Sequence, residues 1–230
     1  MNFRSLASSS AGNCNQVSAG FGADRLMLDC GVPAKKLIRK GINLSAYSGC
    51  LITHEHKDHC KAVRALQKRA VDCFMLQETA EALGIEKHHR TRIIRPSETI
   101  EIGAFKVVPF WVPHDVPCAG FLIEAGDNRM AYITDCAYCP ATFPALDIIA
   151  IEINHDKETL YDSEANFSRK RRTRLNHMGL TAALKMIREA ASPRLKEIHV
   201  LHMSNETADE KKILSAVQAV AGCSIYICEE

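Results

Sequence analysis

The sequence has no apolar run that approaches the length of a bilayer span, so no helical membrane segment is expected. Met1-Asn2-Phe3-Arg4-Ser5 lacks the long apolar core of a secretory signal, and a cytoplasmic location is expected. A large net charge is missing too: the balance is +2, which excludes a surface that traps anions everywhere. No low-complexity linker divides the chain, so residues 1–230 are expected to form a single domain. What is present is ordinary for a globular protein. The 230 residues are 47% hydrophobic and 24% charged, enough for one sizeable core.

Ten cysteines are spread over a chain without a signal, which favours reduced thiols over a disulfide framework. Cys136-x-x-Cys139 resembles half of a zinc or redox motif. No matching second pair exists and Pro140 follows at once, so small buried thiols are the better reading. Short strand-like runs alternate with helical ones. Strands are expected at Phe3–Leu6, Cys14–Ala19, Leu26–Asp29, Cys50–Thr53, Val71–Leu76 and Phe105–Phe110. Helices are expected at Pro33–Lys40, Cys60–Ala70, Thr181–Ala190 (capped by Thr181) and Glu206–Val220. Ile148–Ile153 is an apolar, β-branched run suited to a strand buried on both faces. Two sheets back to back with helices outside would bury these runs.

Four metal-capable side chains fall within His54-Glu55-His56-Lys57-Asp58-His59, just after the apolar Leu51-Ile52. Imidazoles and a carboxylate suit a borderline divalent cation such as Zn²⁺, and also Mn²⁺ or Fe²⁺. In an extended segment His54 and His56 point to one side. Asp58 and His59, where the chain should turn into the 60–70 helix, can face a second ion. A solvated His-rich loop is the bland alternative. Three more positions put a ligand-type residue directly after an apolar strand: His114, Asp135 and His202. Singly each is weak, because a lone Asp there is more often a turn or cap. Together with the first motif they supply ligands for two ions with room for a water.

This set resembles the metallo-β-lactamase fold superfamily. His54, His56, Asp58 and His59 match its second motif, and His114, Asp135 and His202 match its three later motifs in order. The resemblance implies a mixed α/β (α+β) four-layer αβ/βα sandwich with the site at one edge. It implies two divalent ions, Zn or Mn: one on His54, His56 and His114, the other on Asp58, His59 and His202, with Asp135 bridging. A narrower likeness joins Ser8–Asn13, Glu152-Ile153-Asn154-His155-Asp156 and Asn176-His177-Met178-Gly179 to the YycJ (WalJ, VicX) group, which is associated with 5′→3′ exonuclease action on DNA. The chain departs from that group's pattern at Asn176, Met178-Gly179 and Met203. It is too short for the β-CASP insertion of the larger nucleases.

These readings imply metal-assisted hydrolysis of a phosphodiester, with a hydroxide generated between two ions. Asp58 would orient it, and His177 or His155 would protonate the leaving oxygen, orientation of a ligand being the alternative for both. The run Arg169-Lys170-Arg171-Arg172-Thr173-Arg174 reads as a loop that could track a nucleic-acid backbone, probing DNA in particular. Ser10 and Asn13, in a small polar turn, could approach a phosphate. No membrane and no stable protein partner are implied. One rival is a hydrolase of small-molecule phosphodiesters or thioesters, since fold does not fix substrate. A second is a metal-binding redox or regulatory protein, against which His59 stands where iron-binding relatives carry Glu.

Overall fold

The structure, a computed structural model, describes residues 1–20 and 24–228. Alternation of inward and outward side chains builds the first sheet. Its strands are β1 (Asn2–Ala7), β2 (Cys14–Ala19), β3 (Asp24–Leu28), β4 (Gly49–Leu51), β5 (Cys73–Met75) and β6 (Thr91–Ile93), paired in chain order. The second sheet holds β7 (Ile100–Ile102), β8 (Phe105–Val112), β9 (Cys118–Ala125), β10 (Asn128–Ile133), β11 (Ile148–Glu152), β12 (Glu197–Leu201) and β13 (Ser224–Ile227). They also pair in chain order, from β13 at one edge to β7 at the other. In each sheet a hairpin region is antiparallel and a crossover region parallel: β3 to β6 in the first, β10 to β13 in the second.

The sheets pack face to face. Phe3, Val17, Leu26 and Leu51 of the first meet Phe105, Phe121, Met130 and Tyr132 of the second. The outer face of the first sheet is covered by α1 (Ala34–Arg39), α2 (Lys57–Cys60), α3 (Val63–Gln67) and α4 (Gln77–Ala82), through Leu37, Cys60, Leu66 and Ala80. After β11 come α5 (Lys157–Asp162), α6 (Phe167–Asn176), α7 (Leu180–Ala190) and α8 (Glu210–Gln218). Met186 and Ile187 of α7, with Ile213 and Val217 of α8, cover the outer face of the second sheet. The layers therefore run helix, sheet, sheet, helix, the expected four-layer αβ/βα sandwich. Every side chain of β11 is buried, as its unbroken apolar run predicts. Among the described residues no helix is long and apolar enough to cross a membrane. All ten cysteines are free thiols.

Four expectations are corrected. The basic run Arg169–Arg174 is helix, not loop. It contains good helix formers without Gly or Pro, and the Asn166 side chain accepts from the Arg169 amide at 2.9 Å. It lacks an apolar stripe, so periodicity is silent there. The expected Cys60–Ala70 helix starts earlier and breaks: Asp58 and His59 lie inside α2, and the Ala62 amide donates to Cys30 O at 2.8 Å where the chain passes into α3. Thr181 does not cap α7. Gly179 holds that place, and the Leu180 amide donates to His155 O at 2.9 Å. The last helix begins at Glu210 rather than Glu206, because Asp209 caps it through the Lys212 amide at 3.0 Å.

Candidate metal centre

Carboxyl ends of parallel strands leave free loops at one edge of a sheet, and ligands collect there. Both sheets use that edge here. From the first come Asp29 after β3 and the segment His54–His59 after β4. From the second come Asp135 after β10, Glu152 at the end of β11 and His202 after β12, while His114 follows β8. Asp29, Asp135 and His202 have φ of 58°, 48° and 51°, the left-handed region that non-glycine residues seldom occupy. Such strain persists only where the surroundings over-determine it, and it clusters at functional sites. Asp135 and His202 turn their side chains from strand ends into one common space, and Asp29 backs His59 beside it.

Three donor groups converge there, each with ligand atoms within 4.8 Å of one another: His54, His56 and His114; His54, His59 and Asp135; and Asp135, Glu152, His177 and His202. In the first group His114 Nε2 lies 3.3 Å from His56 Nδ1. In the last, His202 Nδ1 is 2.9 Å from Asp135 Oδ1 and 3.0 Å from Glu152 Oε1. His177 Nδ1 is 2.8 Å from the same Glu152 oxygen. Asp58 sits at the lip, 26% exposed, its carboxylate 3.7 Å from His59 Nε2. It belongs to none of the three groups.

A set of neutral rings would not by itself call for a cation. The test is what the buried nitrogens face. His54 Nε2 and His202 Nε2 are both buried and have no hydrogen-bond partner. An orphaned buried nitrogen costs free energy unless something satisfies it. A borderline cation does so with N and O donors of this kind, so the residues fit one.

The supporting contacts fix ring orientation. Asp29, fully buried, accepts from the Thr53 amide at 2.9 Å and from Tyr132 Oη at 3.0 Å, and meets His59 Nδ1 at 2.9 Å. His59 Nε2 is thereby aimed inward, where Asn13 Nδ2 lies 3.0 Å away. Asp115 lies with one oxygen 3.1 Å from His114 Nε2 and 3.4 Å from His56 Nε2. Its other oxygen meets Asn176 Nδ2 at 3.1 Å and Arg172 at 3.5 Å. The Asn176 carbonyl meets His114 Nδ1 at 3.0 Å, so the C-terminal end of α6 is fastened to the centre. The Asn176 side chain makes a contact glycine could not. Gly31 lets the parts meet: a Cβ there would stand 1.5 Å from Asp58 O, so only glycine admits α2 this close.

The charges divide. Burial lowers His54 well below the ordinary imidazole value, with His59 adding to it, and burial lowers His114 as well. Burial also opposes charge on His202, but Asp135 and Glu152 outweigh it and push it up to about 10. His59 and His177 likewise rise against burial, through Asp135 and Asp29 in the first case and Glu152 in the second. Asp135 resists burial and is held well below the carboxylate range by His202 and His59.

Of the other expected residues, His155 is buried against Gly179, with Nδ1 unpartnered, and stands outside the three groups. Ser10 is exposed on a turn that the Gly12 amide closes onto Ser9 O at 3.0 Å. Arg169 pairs with Glu206 at 2.7 Å, and Lys170 donates to Tyr161 O. Arg171, Arg172 and Arg174 are exposed. Sequence reasoning missed Glu152, Asp29 and Asp115. Glu152 ends a fully apolar strand, a signal of the same kind as the one that singles out Asp135. Asp29 follows the apolar Leu26-Met27-Leu28 and carries that signal too; nothing local marks Asp115.

Residues 24–200 match the family described as the beta-lactamase superfamily domain. The chain is 28% identical over 220 residues to exodeoxyribonuclease YycJ of Bacillus anthracis, covering 89% of this chain and 83% of that one. Among solved structures, the metallo-β-lactamase fold protein YhfI of Bacillus subtilis superposes with a TM-score of 0.79 at 15% identity, over 99% of this chain and 96% of the other. Zn²⁺-bound PqqB of Methylobacterium extorquens superposes with a TM-score of 0.74 at 15% identity, over 100% and 99%.

Proposed function

This chain belongs to the beta-lactamase superfamily domain family, as a metallo-β-lactamase fold hydrolase, and from that premise we propose that it cleaves phosphodiester bonds in nucleic acid, DNA first. The observation that carries this reading is the attachment of the basic helix α6 to the donor cluster through Asn176 and Asp115. The likeness to an exodeoxyribonuclease over most of the chain supports it, and 5′→3′ exonuclease action is the form we assign. We read residues 1–230 as one domain without a β-CASP insertion.

We assign His54, His56 and His114 to one cation. Asp58, His59 and His202 would hold another, with Asp135 shared: Asp135 belongs both to the donor group of His59 and to that of His202, while Asp58 stands beside them, 3.7 Å from His59 Nε2; the Zn²⁺ of PqqB makes Zn the first choice and Mn the second. Bound there, such ions bring the pKa of water down toward about 7 and neutralise charge on phosphate oxygens. The chain's own residues do the rest. Asp58, a quarter exposed, would accept a hydrogen bond from the attacking water and orient it. His177 carries the proton for the leaving oxygen at Nε2, while Glu152 holds Nδ1 at 2.8 Å and favours the charged ring. Glu152 is itself anchored by the Cys136 and Met178 amides, at 3.2 and 3.1 Å. His155 positions this strand end rather than donating. Asn13 faces the cluster, and Arg171, Arg172 and Arg174 meet the backbone phosphates. Ser10 lies further out on the same rim.

The test is incubation of 5′-labelled and 3′-labelled DNA and RNA with Zn²⁺ or Mn²⁺, beside a His56→Ala, Asp58→Ala control. Nuclease activity should fall steeply with salt. His177→Ala should cost about 10²–10⁴-fold on DNA and far less on an ester with a p-nitrophenolate leaving group, which needs no proton. Equal losses on both substrates would remove His177 from the proton path. Salt-insensitive turnover of small esters with DNA and RNA left intact would favour the small-molecule rival.

A further inference from the structure

The outward face of α6 carries a feature that phosphate contacts do not explain. Asn176 is buried and Thr173 half-buried, so the opposite face of the helix looks into solvent. Phe167, Arg171 and Leu175 recur at four-residue spacing and share that outer stripe. Phe167 is 81% exposed and Leu175 56% exposed. Single exposed apolar residues need no explanation. Two on one stripe of an otherwise charged helix, with an arginine between them, form a surface. Among the described residues Arg171 and Arg174 make no ion pair, whereas Arg169 and Arg172 are engaged by Glu206 and Asp115. The stripe spans about 12 Å at the helical rise of about 1.5 Å per residue. Its Leu175 end adjoins Asn176 and His177, which touch the donor cluster.

We propose that this stripe is a stacking platform for unpaired nucleobases at the end of a nucleic-acid strand. A base lies on the Phe167 ring, Leu175 supports its neighbour, and Arg171 and Arg174 take the intervening phosphates on the way to His177. The inference rests on the nuclease reading and names its substrate as a strand with splayed terminal bases. Aromatic faces accept any base, so the surface binds without sequence preference. An anionic lipid surface is the competing occupant of a basic helix with apolar residues. It fits less well, because Arg171 and Arg174 interrupt the apolar line and leave no continuous greasy face.

The experiment uses metal-loaded full-length protein and a phosphorothioate-linked single-stranded DNA ending in 2-aminopurine, whose fluorescence is quenched by stacking. Wild-type protein should quench it on binding. Phe167→Ala should abolish the quench and weaken binding about ten-fold, with the salt dependence unchanged. Phe167→Trp should keep the quench and Phe167→Leu lose it, which a merely apolar contact would not require. Arg171→Gln should instead flatten the salt dependence. Phe167 is exposed, so these variants should melt with wild type. A wild-type protein that degrades DNA yet never quenches the probe, or variants that bind it as wild type, would overturn the platform and leave the nuclease reading standing. Binding of phosphatidylserine vesicles that requires Phe167, with no effect on the DNA probe, would also overturn it. Failure to act on any nucleic acid would sink both.

Discussion

The two sides of the candidate centre differ in charge, though they share the same residue types. Burial lowers the pKa of both His54 and His114, which disfavours charge on their side. Across the cleft, Asp135 and Glu152 raise the pKa of His202 and Glu152 that of His177, against burial. The lesson is that a ring's role follows from what faces it. His54 packs among three other rings with Asp135 4.0 Å away, while His202 has two carboxylates at 2.9 and 3.0 Å. The second side therefore suits both metal binding and proton delivery.

Removing Asp135 should break the distinction with the largest effect, since it reaches His202 at 2.9 Å, His59 at 3.4 Å and His54 at 4.0 Å. Asp135→Ala should lose metal from both sides and activity by about 10³-fold or more, read by elemental stoichiometry beside steady-state cleavage. Loss from one side alone would show that Asp135 is not shared. Asp115→Ala should sharpen the contrast. Of the donor rings it meets His56 and His114, so metal affinity should fall about 10- to 100-fold on that side, measured by competition with a chelator. An equal fall on both sides would erase the difference.

The smallest effect on the centre should come from Asp147. It accepts from the Arg129 amide at 2.9 Å and pairs with Arg194 at 2.9 Å and Lys196 at 3.1 Å. Burial raises its pKa, but these donors outweigh that and hold it below the carboxylate range. A depressed folded pKa stabilises fully above the unfolded value of about 4, and the gain vanishes as pH falls through the folded value. Asp147→Asn should cost about 1–2 kcal/mol near neutrality and converge with wild type in acid, with metal content unchanged. Thermal melts across pH check this and separate acid unfolding from protonation at the centre.

The strands were legible because their side chains alternate or, in β11, open on the apolar run Ile148–Ile151 that a strand covered on both faces can bury. Four of the donors were legible for a local reason: His54, His56, Asp58 and His59 fall within one short segment. His114, Asp135 and His202 could be suspected from their places after apolar strands. Helix α6 was not legible, because a charged helix held by ion pairs and hydrogen bonds rather than by a buried face shows no apolar period.

What the sequence determined by itself was the kind of chemistry, since ligand types and strand periods are properties of residues and their immediate neighbours. Tertiary structure alone decided that Glu152 joins His177 to His202, that Asp29 aims His59, and that Asp115 ties α6 to the rings. These pairs lie 25 or more positions apart in the chain. Only the closing of two sheets over one core brings them within hydrogen-bond reach, and no local pattern encodes that.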